Sequence, residues 1–60
     1  MPQDQVRSLL DSAKKKMNKG IYALQEGDKV EFVNMPMSTT QIKKFRREAK
    51  KIGIKVYANM

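Results

Sequence analysis

An α+β fold in a single domain, 1–60, is predicted by three observations. An amphipathic helical pattern opens the chain, a second one follows Ser38, and between and after them lie short β-branched runs broken by Gly-Asp and Pro. The predicted order is α-β-β-α-β: a three-stranded mixed sheet with both helices on one face, the simplest two-layer packing for these elements.

Residues 3–19 read as the first helix. Val6, Leu9, Leu10, Ala13 and Met17 fall within about 100° of one another at 100° per residue, the width of a core-facing stripe. Asp4 suits the first turn, either as a cap or by favouring the positive end of the helix dipole. Lys14, Lys15, Lys16 and Lys19 complement the negative end, and Gly20 is a natural stop. Asp11 lies four residues from both Arg7 and Lys15 and can pair with either.

Residues 21–34 read as a hairpin. Ile21–Leu24 and Val30–Val33 flank the segment 25–29, which contains Gly27-Asp28 turn chemistry. Ile21–Leu24 also fits an extension of the first helix, since a helical Gly20 costs only about 1 kcal/mol. Pro36 bars a continuing central strand. Phe32 and Phe45 are core candidates. Tyr22, Tyr57, Lys55 and Val33 are candidates to line an open sheet face.

The second helix, 39–52, has the clearest ends. Ser38 and Gln41 have capping-box spacing, and Met37 and Ile42 are placed for a hydrophobic staple. Gly53 supplies a left-handed stop, with Ile54 beyond it able to touch Ala49 in a Schellman ending. Residues 54–58 alternate and read as a strand. Strand 30–34, helix 39–52 and strand 54–58 then form a βαβ unit with a parallel pair and a right-handed crossover.

Helix 39–52 also carries the main functional signal. Ile42, Phe45, Ala49 and Ile52 fall within about 80° of arc, while Arg46, Lys50, Lys43, Arg47, Lys51 and Lys44 occupy about 160° on the other side. Glu48 is the only acid among them. Like charges at i,i+3 and i,i+4 cost a helix about 0.2–0.5 kcal/mol per pair. A purely solubilising face would more often mix signs. In a 60-residue chain whose core is necessarily small, that repulsion points to a gain on binding.

Charge is segregated along the chain. Residues 1–20 carry net +3, residues 21–37 net −2 and residues 38–60 net +6, for +7 in all. Such a field attracts polyanions. The expected partner is nucleic acid, DNA or RNA, with an acidic protein surface as the alternative. The candidate contacts are Lys43, Lys44, Arg46, Arg47, Lys50 and Lys51, joined by Lys55, Tyr57, Lys15 and Lys19. Arg46 and Arg47 suit bidentate contacts to phosphate or guanine, and the lysines act as point charges. Tyr57 beside Lys55 is a candidate stacking platform for a base. No zinc-finger spacing, KH-type GxxG loop or RNP aromatic motif is present to specify a sequence.

Enzyme chemistry is not expected. The chain has no His and no Cys, hence no disulfide, no metal site of those ligands and no common base–nucleophile pair. Its six carboxylates are scattered. No cofactor is implied. No apolar run approaches the ~20 residues of a membrane span, and no signal-peptide core follows Met1. The expected compartment is therefore the cytoplasm. The chain reads as a whole gene product, and a homodimer is an open expectation because an edge strand is exposed and the core is small.

The short frame, rich in Lys and Met and free of Cys and His, resembles accessory proteins of bacteriophages. That resemblance implies a DNA-associated factor, or an inhibitor docking on a host protein in the host cytoplasm.

Overall fold

The computed structural model describes residues 3–60, with only the backbone of Gln3. It contains α1 (Gln3–Lys16), β1 (Gly20–Glu26), β2 (Lys29–Pro36), α2 (Thr39–Lys51) and β3 (Lys55–Asn59). The α+β class and the α-β-β-α-β order are those expected from the sequence. The strand pairing is not.

The sheet is antiparallel throughout, in the order β2-β1-β3. β2 and β3 run parallel to each other, as a βαβ unit requires, but β1 lies between them and pairs with both. The mixed sheet with a directly paired parallel couple is thereby corrected. The cause lies in the hairpin. Glu26 pairs with Lys29, leaving only Gly27-Asp28 as the loop, which fixes β2 as an antiparallel neighbour of β1. Gly27 takes φ +58°, the sign favoured at this loop position, and Gln25 Nε2 donates to its carbonyl at 2.9 Å. Ile21-Tyr22-Ala23-Leu24 is the most continuously apolar strand segment, so it takes the centre, where both faces are covered. Ile21, Tyr22 and Ala23 are all buried. Residues 21–24 are thus strand, not helix.

The helices lie on opposite faces of the sheet, which corrects the expectation that both cover one. On the α2 face, Ile21, Ile42, Ala49 and Val56 form the buried core, with Leu24, Val33, Met35, Met37, Phe45, Ile54 and Ala58 packed around it. The register agrees: Ile21 opposes Met35 and Ala58, and Leu24 opposes Val56. Val33 belongs here and does not line the second face. That second face carries Tyr22, Val30, Phe32 and Tyr57, and α1 stands over it with Val6, Leu9 and Leu10.

A register shift falls between Ile21 and Ala23, beside the aromatics of the second face. Two steps along β1 match one step along β3, from Ala58 to Tyr57, so Tyr22 is an extra residue in β1. Its ring lies beside that of Tyr57, with centroids 6.1 Å apart and planes at 45°.

Helix α1 ends at Lys16, three residues before the expected limit. Gly20 is not a helix stop but the first residue of β1, at φ +149°. A Cβ there would collide with the Met35 carbonyl oxygen and lie 2.8 Å from Pro36 Cα. Close backbone approach therefore requires glycine.

Helix α2 has the predicted capping box and glycine stop, but ends at Lys51, one residue before the expected limit. Ser38 Oγ accepts from Gln41 N at 3.2 Å, and the Gln41 side chain accepts from Ser38 N at 3.4 Å. Gly53 has φ +77°, Ile54 N donates to Ala49 O at 2.9 Å, and Gly53 N donates to Lys50 O at 3.2 Å. These two bonds are the Schellman pair. The expected apolar arc shortens by one residue. Ile52 is the C-cap at φ −108°, ψ 14°, outside helical geometry, and is 70% exposed. Phe32 also departs from its expected core role. It lies on an edge strand, where cover is incomplete, and is 43% exposed. No helix among the described residues is long and apolar enough to cross a membrane.

Candidate nucleic-acid interface

The ridge on α2 is built by the same periodicity that builds the core. Ile42 and Ala49 point into the sheet and are buried, which turns Lys43, Lys44, Arg46, Arg47, Lys50 and Lys51 outward. All six are exposed. Lys51 Nζ lies 3.3 Å from Glu48 Oε1, an exposed i,i+3 pair of the kind that contributes about 0–1 kcal/mol. Among the described residues, the other five have no carboxylate within ion-pair distance. The ridge therefore presents five uncompensated cations and one weakly compensated one.

Strand β3 extends this surface. Arg46 and Lys50, one turn apart on α2, line a shallow depression together with Gly53, Ile54, Lys55 and Val56. The Schellman turn brings this about: by reversing the chain at Gly53 it returns the start of β3 to the side of the helix it has just left. Lys55 Nζ then sits 4.9 Å from the centre of the Tyr57 ring, a cation–π contact.

Tyr57 is more constrained than the sequence suggested. Its hydroxyl donates to Gln25 Oε1 at 2.7 Å, Tyr22 flanks it, and Lys55 covers part of the ring. It faces away from α2 as expected, but towards α1 and not towards an open surface. Tyr57 thus anchors Lys55, and a base could stack on it only by displacing that ammonium.

Lys15 and Lys19 are exposed but join neither the α2 ridge nor the depression beside it. Lys15 Nζ pairs with Asp11 Oδ2 at 3.2 Å, the i,i+4 option of the two open to Asp11. The Lys19 carbonyl accepts from Met37 N at 3.3 Å, tying the α1–β1 connection to the end of β2.

On the opposite face, α1 and the sheet enclose an open cleft of about 1070 Å³. Arg7 and Lys14 on α1 and Lys55 on β3 line it together with Tyr22, Phe32 and Tyr57. Sequence reasoning did not place Arg7 or Phe32 at a site. One signal was available: Arg7 and Lys14 are seven residues apart, two helical turns, so they share an edge of α1 beside the apolar stripe. Tyr22 sits deep in this cleft. Its phenol pKa is raised above 10.0, first by burial, then by Tyr57 and Asp11, with Arg46 opposing.

These groups suit binding of a polyanion. The cations lie on two elements, α2 and β3, both fixed by the core, and they contact solvent with little internal neutralisation. The chain matches no family model, no curated protein and no solved structure in the comparisons made with each.

Proposed function

We propose that this chain is a small nucleic-acid-binding protein that contacts phosphates through α2, with Lys55 extending the contact surface onto β3. The observation that carries the reading is the α2 ridge: six exposed cations facing away from the core, five of them without an ion-pair partner among the described residues. Like charges held together on one helix cost stability, and counterion release on phosphate binding offsets that cost. Arg46 and Arg47 clamp phosphate oxygens bidentately, and Lys43, Lys44, Lys50 and Lys51 add point charges.

The test is a binding titration with the variant in which Arg46, Arg47, Lys50 and Lys51 are all replaced by Gln. None of the four is buried, so the variant keeps its fold and loses affinity by at least tenfold. Equal affinity in the variant would end the reading.

Ile52 favours a second reading. A 70% exposed isoleucine at the end of the ridge gives a phosphate backbone nothing to bind, but it suits an acidic protein surface with an apolar centre. A stoichiometric protein complex that survives nuclease and is lost on Ile52→Ser supports that alternative.

A further inference from the structure

The cleft between α1 and the second face of the sheet is not used by the α2 ridge. Its walls combine two kinds of surface. Arg7, Lys14 and Lys55 supply three cations, against Asp11 and Asp28. Asp11 is already held by Lys15, so among the described residues Asp28, in the hairpin loop, is the only carboxylate lining the cleft without an ion pair. The floor is aromatic, formed by Tyr22, Phe32 and Tyr57. Tyr22 is buried and the two tyrosine rings occupy each other, whereas Phe32 is 43% exposed and has no aromatic neighbour among the described residues. Across from the sheet, Leu9 of α1 is 47% exposed.

We infer that this cleft takes a base of a single-stranded nucleic acid, stacked on Phe32, with the adjoining phosphates on Arg7, Lys14 and Lys55. The inference rests on the nucleic-acid reading and adds to it the strandedness of the ligand. A planar base entering between Leu9 and Phe32 covers apolar surface that α1 leaves open, and aromatic stacking accepts any base because each has a π-face. A purely apolar ligand would desolvate the three cations without pairing them. Bases in a duplex are already stacked on their neighbours and present no free face to Phe32. Lys55 makes the two surfaces continuous, because it borders both the cleft and the depression beside Arg46 and Lys50. A strand whose backbone follows the α2 ridge therefore reaches the cleft past one shared lysine.

The experiment measures fluorescence anisotropy of labelled oligo-dT and of a DNA duplex of equal length, with the wild-type chain, Phe32→Ala, Phe32→Tyr and Arg7→Gln/Lys14→Gln. Phe32 is half exposed, so Phe32→Ala keeps its helical circular dichroism. The expected result is tighter binding of oligo-dT than of duplex. Phe32→Ala should then lose roughly 5- to 100-fold in affinity for oligo-dT alone. Phe32→Tyr restores that affinity, and the Arg7/Lys14 variant lowers it. Tight binding of both probes with no effect of Phe32→Ala overturns the cleft assignment and leaves the ridge reading standing. Binding of neither probe overturns both. A wild-type dimer that Phe32→Ala dissociates overturns the cleft assignment by showing that a second copy fills it.

Discussion

Asn59 Nδ2 donates to the carbonyl of Lys14 at 2.7 Å and to that of Met17 at 3.0 Å, so the last strand caps the first helix across 45 positions of sequence. The Lys14 carbonyl, in the last turn of α1, also accepts from Met17 N at 3.3 Å, and Met17 directly follows the helix, so Asn59 fastens the end of α1 and its exit to β3. No residue of α1 from Asp4 to Lys16 is fully buried. This cap is accordingly a principal tie between α1 and the sheet. Asn59→Ala should cost about 1–2 kcal/mol, the sum expected of two hydrogen bonds. Hydrogen exchange would speed up first in the last turn of α1. Asn59→Asp, which keeps the shape and loses the donor, should do the same.

Gly20→Ala places a methyl group against the Met35 carbonyl at a φ that side chains rarely adopt. The strand start must move, and with it the Met37 N–H bond to Lys19 O. A loss of about 2–3 kcal/mol is expected in urea denaturation, combining backbone strain with the clash. Gly27→Ala meets no atom within 4 Å and carries only the cost of its positive φ, about 1 kcal/mol.

Ile42 and Ile52 share the apolar arc on a helical wheel and should differ sharply on truncation. Ile42 is fully buried, and Ile42→Ala should cost about 2–5 kcal/mol, enough to unfold a chain this small. Ile52 is largely exposed, so Ile52→Ala should stay within about 0.5 kcal/mol of wild type. Thermal melts of the two variants check this.

Burial and the neighbouring Tyr57 and Asp11 hold the Tyr22 phenol in its neutral form. Its folded pKa is above the unfolded value of 10.0, so the unfolded state loses its proton first as pH rises. The stabilising contribution is complete below pH 10 and is lost as pH climbs through the folded pKa. Absorbance of the phenolate should therefore show Tyr22 titrating late. Tyr22→Phe should remove this late step and flatten the alkaline fall in stability.

Local chemistry made part of this structure readable from sequence. Helix α2 was legible at both ends, because its cap and stop use contacts between residues within five positions of each other: Ser38 with Gln41, and Ala49 with Ile54. Its outward ridge follows from the same period. The strand order was not legible. Nothing local to residues 29–36 or 55–59 says that β1 sits between them, since that depends on the tight Gly27-Asp28 loop and on burial of Ile21 and Ala23 from both sides. The position of α1 hid for the same reason. Its stripe announces a helix face but not which sheet face receives it, and the contact from Asn59 comes from the far end of the chain. The cleft with Arg7 and Phe32 exists only because α1 stands on that second face.

The central claim is that the α2 ridge binds phosphates, and the salt dependence of nucleic-acid affinity tests it most directly. Four to six contacts predict a slope of log K against log salt of about −3 to −5, spanning single strands and duplex. Replacing Arg46, Arg47, Lys50 and Lys51 by Gln should make that slope shallower by about 3. Absence of binding at about 50 mM salt, or an affinity that salt does not change, would contradict the claim.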